Sequence, residues 1–291
     1  MEDRSETNDR RQIVRLNKAF LRGYPARFRW MLRAWREHSE VNQAWMMYAA
    51  SYLFNTQGVR WAMDPLLPGS LLPEFRARLH ANALKSLSFV VLTHYHADHI
   101  DHDLLASLSD SDLRYVVPEH MRDRVVERAG LRAAQVLIAR SGERLVIDGI
   151  HMMPFDGLHW RVHPNGQLHG TDATGYLVEV GGRRWLFPGD VRDYRADVIA
   201  RFGPVDVLFA HLWLGKARAL DPEPPELDAF CDFILAGQPR RVVLTHLYEF
   251  SRPPRDLWTL RHVELVRERW RTMGAPAPIE VLRTGQAMHF G

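Results

Sequence analysis

The sequence predicts a mixed α/β fold preceded by a helical extension, and three observations carry this prediction. Short apolar runs typical of strands come first in antiparallel succession and then alternate with helical patterns along the 291-residue chain. The composition is 46% hydrophobic and 25% charged, which is typical of a folded globular protein and excludes a disordered or fibrous chain. The third observation is a dense cluster of histidine and aspartate directly after one buried strand.

Residues 1–46 are predicted to form the helical extension. From Arg10 to Arg36 every charged residue is basic. Apolar residues recur at helical spacing on both sides of residues 23–25, where Gly-Tyr-Pro is expected to separate two helices. Two interpretations stay open. The extension packs its apolar stripe on the main domain with the arginines in solvent, or it forms a basic, aromatic surface for nucleic acid, an anionic membrane or a protein partner.

Residues 47–291 are predicted to form the main domain, which opens with a hairpin at 51–56 and 58–64. Helices are expected at 74–86, 101–108, 118–129 and 226–235, with Asp101 as the N-cap of the second and Pro118 in the first turn of the third. Further strands are expected at 88–93, 113–117, 145–147, 151–155, 176–180, 184–187, 205–210 and 241–245. The segments 278–282 and 287–290 are expected to form a closing strand pair.

Charge and cysteine content limit the functional class. The net charge of +3 does not mark the whole chain as a nucleic-acid binder. The single cysteine, Cys231, excludes an intramolecular disulfide and a cysteine-rich zinc site. The N-terminus lacks the apolar core of a signal peptide and no apolar run is long enough to span a bilayer, so we expect a cytoplasmic protein. A homo-oligomer is compatible with these features.

Four potential metal ligands occupy six positions after the strand at 88–93: His94, His96, Asp98 and His99. Side chains at i and i+2 on extended backbone, here His94 and His96, point the same way and can bind one ion. The adjacent pair Asp98 and His99 can turn toward a second ion. Imidazole and carboxylate suit zinc, manganese or iron. The spacing therefore predicts a metal site at the carboxyl end of this strand.

The His-x-His-x-Asp-His motif after a buried strand resembles the metallo-β-lactamase superfamily, and the resemblance extends over most of residues 48–291. It implies a four-layer αββα sandwich. Three further residues match the family's pattern in order: Asp64 after an early strand, Asp190 in a Gly-Asp pair after a later strand, and His246 after a final strand.

The family also has a histidine between the first motif and the Gly-Asp pair, and the sequence offers His159, His163 and His169. His159 follows an apolar run, and His159-Trp160 resembles the phospholipase D branch that hydrolyses N-acylphosphatidylethanolamine. His169 has a spacing to the following Gly-Tyr similar to that of the tRNA-processing and cyclic-phosphodiesterase branches. We favour His159, because His163 and His169 lie in or beyond a predicted turn, and assign His169 to the substrate cleft.

The resemblance implies two divalent ions, with zinc as the first choice and manganese or iron as alternatives. One metal would be held by His94, His96 and His159, and the second by Asp98, His99 and His246. Asp190 would bridge the two metals. Asp64 would orient a ligand imidazole.

The implied activity is hydrolysis by a hydroxide that bridges the two metals, with Asp98 orienting it and shuttling its proton. The sequence around Asp190 and His246 is nearer to the lactonase, phospholipase and phosphodiesterase-like branches than to true β-lactamases. The expected substrate is therefore an ester or phosphodiester, such as a lactone, a phospholipid-like molecule or a cyclic or nucleotide phosphodiester. His211 and Lys216 are candidates for substrate binding, and Arg192 and Tyr194 are weaker ones.

One alternative function belongs to a different class. The basic stretch from Arg10 to Arg36 is also compatible with a nucleic-acid or membrane-associated binding protein that uses the metallo-fold as a scaffold.

Overall fold

The computed structural model describes residues 4–37, 40–69, 71, 84–162, 168–249 and 252–290. The α-helices within these residues are Arg4–Glu37, His102–Leu108, Arg122–Ala129, Ala196–Ala200, Leu227–Ala236 and Leu260–Thr272. The strands, numbered β1 to β16, are Gln43–Tyr48, Ser51–Thr56, Val59–Met63, Phe89–Val91, Arg114–Pro118, Val136–Ala139, Leu145–Ile147, Ile150–Asp156, Arg161–Val162, Leu168–His169, Thr174–Val180, Arg183–Phe187, Val207–His211, Val242–Thr245, Ile279–Val281 and Ala287–His289.

Fourteen of these strands form two seven-stranded mixed sheets. The first sheet has the order β16-β1-β2-β3-β4-β5-β6, with antiparallel pairing from β16 to β3 and parallel pairing from β3 to β6. The second has the order β15-β14-β13-β12-β11-β8-β7, with parallel pairing from β15 to β12 and antiparallel pairing beyond. Each sheet therefore has a parallel half, whose strands end together at one edge.

An aromatic core joins the inner faces of the two sheets. The rings of Phe54 and Trp61 stack with centroids 4.0 Å apart on the first sheet, and those of Phe187 and Phe209 stack at 4.4 Å on the second. Phe54 meets Phe187 edge to face at 5.7 Å, so the two pairs interlock. Helices cover the outer face of each sheet with separate apolar clusters. The predicted αββα sandwich is confirmed.

The N-terminal extension is one continuous helix, Arg4–Glu37, and the predicted break at residues 23–25 is wrong. Pro25 removes one hydrogen bond from the helix interior, at a cost of about 3 kcal/mol. Against this cost, Tyr24 and Phe28 are buried in the core cluster of the first sheet, with ring centroids 5.5 Å apart. Trp35 is also buried and donates from Nε1 to the carbonyl of Phe54 at 3.0 Å. Burial of the aromatic stripe therefore keeps the helix intact across the proline.

The predicted closing pair is also wrong. Ile279–Val281 pairs with β14 in the second sheet, whereas Ala287–His289 pairs with β1 in the first. Both segments are strands, as expected, but each forms the edge of a different sheet. Strand propensity is local, whereas the choice of partner depends on where the chain crosses between sheets.

Several element boundaries differ from those expected. Strand β1 begins at Gln43, inside the segment assigned to the extension, and pairs with β2 and β16. Helix Leu260–Thr272 and strand Val136–Ala139 were not predicted. Most of the predicted helix at 74–86 lies outside the described residues. Asp101 is the expected N-cap and accepts a hydrogen bond from the backbone N–H of Leu104 at 3.0 Å. No helix in the described part of the chain combines the length and hydropathy that crossing a bilayer requires.

The docking of the N-terminal helix can be tested with one buried and one exposed residue. We expect Phe28→Ala to lower the free energy of unfolding by about 3–5 kcal/mol, because it opens a cavity in the core. Leu16→Ala, on the same helix with 46% of the residue exposed, should change it by less than about 0.5 kcal/mol. Urea denaturation followed by tryptophan fluorescence measures both. Equally small effects would show that the helix does not pack on the sheet.

Candidate metal centre

The histidines and aspartates singled out in the sequence lie where parallel strands of both sheets end. Asp64 follows β3 and His94 follows β4, which are neighbours in the first sheet. Asp190 follows β12 and His246 follows β14 in the second. Gly189 has a φ of 72°, a left-handed conformation that favours glycine and turns the chain as it leaves β12. The packing of the two sheets thus gathers residues that are distant in sequence.

A first group of four side chains could hold a metal ion: His94, His96, His159 and Asp190. Each offers one ligand atom, and these atoms lie within 4.8 Å of one another. The Nε2 atom of His159 lies 3.0 Å from the Nδ1 atom of His96. His96 is half-buried and the other three residues are buried. The group combines three imidazoles with one carboxylate, a ligand set that suits first-row transition metals.

A second group shares Asp190 with the first and adds Asp98, His99 and His246. The Oδ1 atom of Asp190 lies 3.2 Å from Nε2 of His99 and 3.5 Å from Nε2 of His246. The Oδ2 atom of Asp98 lies 3.6 Å from the same nitrogen of His246. The two groups therefore meet at one buried carboxylate.

The state of the imidazoles in the first group fits a metal site. Burial lowers the pKa of His94 well below its ordinary value and that of His159 to about 4, so both rings are neutral near pH 7. Within the described residues, Nε2 of His94 and Nδ1 of His159 are buried without a hydrogen-bond partner. A buried polar atom left in this way costs about 1–3 kcal/mol, and coordination of a metal ion would remove that cost. The residues present therefore fit a divalent metal ion.

Asp64 lies behind the second group rather than in it. Its Oδ2 atom is 2.8 Å from Nδ1 of His99, and its Oδ1 atom accepts a hydrogen bond from the backbone N–H of Thr93 at 2.9 Å. The hydroxyl of Thr93 also donates to Asp64. Because Asp64 holds one ring nitrogen of His99, the other nitrogen is directed toward Asp190. That Asp64 orients a ligand imidazole, as the sequence resemblance implies, stays a prediction.

His211 contacts the same oxygen atom of Asp190 as His99 and His246 do. Its Nδ1 atom lies 2.9 Å from Oδ1 of Asp190, and its Nε2 atom lies 3.4 Å from the hydroxyl of Tyr52, which donates to Thr245. Burial alone would raise the pKa of Asp190, but the nearby His246 and His99 lower it well below its ordinary value. The carboxylate is therefore ionised. His211 is buried, and its described contacts support Asp190.

Two residues near His246 had no signal in the sequence. Glu249 is buried, and its Oε2 atom lies 3.1 Å from Nδ1 of His246. Arg252 donates to Glu249 at 2.8 Å from Nε and to Asp98 from Nη2. One guanidinium thus connects Asp98 with the carboxylate that contacts His246. The three-residue spacing from His246 to Glu249 carries no specific pattern, and for that reason the sequence did not identify it.

The remaining candidates for substrate binding are Lys216, Arg192 and Tyr194. Lys216 is exposed, and among the described residues no ion pair joins it to the two groups. The Arg192 guanidinium lies 4.5 Å from the centroid of the Trp213 ring and 3.5 Å from Oδ2 of Asp190, and the hydroxyl of Tyr194 donates to the Trp213 carbonyl.

The remaining histidine candidates can be placed only in part. His163 lies outside the described residues, and of His169 only the backbone in β10 is described. This segment passes close to His159: a Cβ atom at Gly170 would lie 1.9 Å from the carbonyl oxygen of His159. Glycine is therefore required where the two segments cross.

A cavity of about 850 Å³ adjoins the second group. Asp98, Glu249 and Arg252 line one part of it. The N-terminal helix contributes Leu21, and the segment after β3 contributes Leu66 and Leu67. The cavity is therefore lined both by apolar side chains and by the carboxylate of Asp98.

Comparison with known proteins identifies the family. The family model described as "Beta-lactamase superfamily domain" matches residues 63–247, which include all the residues of the two groups. The chain belongs to this superfamily, and the predicted resemblance is confirmed. A search of curated proteins found no significant match.

Solved structures share the fold at low sequence identity. Igni18, a metallo hydrolase from Ignicoccus hospitalis, is 16% identical with a TM-score of 0.62, covering 86% of this chain and 99% of its own. CmlA, a diiron β-hydroxylase from Streptomyces venezuelae, is 18% identical with a TM-score of 0.60, covering 86% and 54%. Zn²⁺-bound PqqB from Methylobacterium extorquens is 16% identical with a TM-score of 0.55, covering 88% and 91%. At these identities the similarity establishes the fold.

The role of Asp64 can be tested on protein treated with a chelator. We expect Asp64→Ala to lower the free energy of unfolding by about 2–4 kcal/mol, because it leaves buried groups of Thr93 and His99 without a partner. Asp64→Asn keeps an acceptor for Thr93 and tolerates the residue's φ of 43°, so its cost should be clearly smaller. Urea denaturation of the two variants measures the difference. Equal losses would contradict this role for Asp64.

Proposed function

We propose that this protein is a metal-dependent hydrolase with two divalent ions, held by two ligand groups that share Asp190. The observation that carries the proposal is the membership of Asp190 in both groups, next to buried imidazole nitrogens that have no hydrogen-bond partner within the described residues. Paired ions that share one carboxylate are typical of hydrolytic centres.

The geometry supports a specific assignment of ligands. One ion would be held by His94, His96 and His159. The other would be held by Asp98, His99 and His246. Asp190 would contribute to both sites. His159 is preferred over His169 because its ring already lies against those of His94 and His96, with centroids 4.9 Å and 4.8 Å away. His169 would then belong to the substrate cleft. Asp64 and His211 would orient His99 and Asp190.

The identity of the ions follows from the donor set. Imidazole and carboxylate without thiolate suit zinc, manganese and iron. We assign zinc first, because three imidazoles around one ion are a frequent zinc arrangement. The superfamily fold alone does not decide this, since PqqB binds zinc and CmlA is a diiron protein.

The protein's own residues would position the reaction. When bound, the ions would lower the pKa of water and polarise a carbonyl or phosphoryl oxygen of the substrate. Asp98 lines the cavity and would accept a proton from the attacking water. Arg252 holds Asp98 through its Nη2 donor, and Glu249 holds the ring of His246. Because such contacts hold catalytic side chains in place, these side chains need to move less to reach the reactive geometry.

The cavity supports an ester or phosphodiester with an apolar part as the substrate class. Leu21, Leu66 and Leu67 would contact that apolar part, while the bond to be broken lies toward Asp98. Lactones, phospholipid-like molecules and cyclic or nucleotide phosphodiesters all remain in this class.

Metal content tests the ligand assignment. Reconstituted wild-type protein should hold about two ions per chain. His159→Ala should lose about one of them, because it removes an imidazole from the first group. His169→Ala should retain both, and His151→Ala, a histidine outside the two groups, serves as the control. Elemental mass spectrometry after gel filtration measures the content. If His169→Ala empties the site while His159→Ala leaves it full, the two assignments must be exchanged.

Turnover tests the hydrolase proposal. The wild type should hydrolyse bis-p-nitrophenyl phosphate or at least one member of a lactone panel. Asp98→Ala should lower kcat/KM by at least about 10³-fold, because it removes both a ligand and a proton acceptor. The matched control is Asp110→Ala, which also removes one carboxylate but at an exposed position. Equal, background-level rates for wild type and Asp98→Ala on every compound would contradict the proposal.

A further inference from the structure

The exposed face of the N-terminal helix carries a straight row of cations. We call this surface the basic row. Its members are six exposed residues of the helix Arg4–Glu37: Arg11, Arg15, Lys18, Arg22, Arg29 and Arg33. At 100° per residue they fall within an arc of about 60°, and at 1.5 Å per residue they extend over about 33 Å.

The packing of the helix fixes the direction of the basic row. Tyr24, Phe28 and Trp35 are buried on the side of the helix that faces the first sheet. These residues lie more than about 100° around the helix from the centre of the row. The helix therefore cannot rotate to hide its cations without exposing three aromatic side chains. The row is a fixed outer surface of the fold.

The helix that carries the basic row has acidic residues only near its ends, at Glu6, Asp9 and Glu37. No acidic residue occurs between Arg10 and Arg36. Helix Leu260–Thr272 shows the usual arrangement, in which Arg267 pairs with Glu264 and Arg271 with Glu268. Cations placed three or four residues apart repel each other and weaken a helix. An external polyanion would remove this repulsion.

The rest of the chain has the opposite charge. Nine of the 38 basic residues lie between Arg10 and Arg36, so 38 minus 9 leaves 29 basic residues against 35 acidic ones elsewhere. An anionic surface would therefore be attracted by the N-terminal helix and repelled by the remainder of the protein. The charge distribution therefore determines which face of the protein contacts an anionic surface and how the protein is oriented on it.

The shape of the row favours a flat partner. A straight ridge can place all six cations on a planar surface at once, whereas the phosphates of a duplex follow a helical path. One exposed apolar residue lies on each side of the row: Val14, which is 47% exposed, and Trp30, which is 57% exposed. Tryptophan is enriched at membrane interfaces. Binding of single-stranded nucleic acid relies on several stacking aromatic residues, and within the described helix the other tryptophan, Trp35, is buried.

We propose that the basic row docks this protein on a bilayer surface rich in anionic phospholipid, with the helix axis parallel to the membrane. The contact is electrostatic and peripheral, because the apolar stripe of the helix is already buried in the protein. Leu21 of the same helix lines the cavity beside the candidate metal centre. Docking would therefore hold the cavity next to the membrane. The docking proposal does not depend on the hydrolase proposal, and its test measures binding alone.

Vesicle co-sedimentation of the full-length protein tests the docking. The wild type should bind phosphatidylcholine vesicles that contain phosphatidylserine, should not bind pure phosphatidylcholine vesicles, and should dissociate as salt is raised. Arg15→Gln/Arg22→Gln/Arg29→Gln should weaken binding on the order of 100-fold, since three cations are removed from the contact. The matched control is Arg122→Gln/Arg201→Gln/Arg261→Gln, which removes the same charge at exposed positions outside the helix and should bind like the wild type.

Three results would overturn the proposal. The first is the absence of binding to phosphatidylserine vesicles at low salt. The second is an equal loss in both triple variants, which would show that only net charge matters. The third is preferential binding to polyuridylate or duplex DNA, with either competitor releasing the protein from vesicles, which would identify nucleic acid as the partner. Neither variant should melt below the wild type, because all six substituted side chains are exposed and the row variant loses some repulsion between cations.

Discussion

The site depends on one buried carboxylate, that of Asp190. Taking an ionised carboxylate out of water costs several kcal/mol unless polar groups surround it. Here His99 approaches from the first sheet and His211 and His246 from the second, all within 3.5 Å of the same oxygen atom. The carboxylate therefore requires both sheets to be in place. Any change in their relative position would leave it without its partners.

The aromatic core between the sheets provides that fixed position. The interlocked rings of Phe54 and Phe187 join β2 of the first sheet to β12 of the second, the strand that leads to Asp190. Close-packed interiors deform little, so the carboxyl ends of β4, β12 and β14 stay in register across the interface. Two buried carboxylates, Asp64 and Glu249, contact the imidazoles of His99 and His246 at the ring nitrogens that do not face Asp190. Fold stability and ligand geometry thus arise from the same packing.

The sequence predicted most of the fold and the principal site residues, for identifiable reasons. The cluster from His94 to His99 is local, and Asp190 and His246 follow apolar strands in the order known for the superfamily. Glu249 was missed because its three-residue spacing to His246 carries no specific pattern. Arg252 was missed because its contact with Asp98 forms only when the segment after β14 meets the loop after β4. The helix across Pro25 and the partners of the two last strands were mispredicted since packing, not local propensity, decides them.

Anomalous X-ray scattering from a crystal grown with zinc would locate the ions. We expect two anomalous peaks beside the Asp190 carboxylate, the first surrounded by His94, His96 and His159 and the second by Asp98, His99 and His246. A single peak, or peaks only away from Asp190, would contradict a two-metal centre that shares this carboxylate.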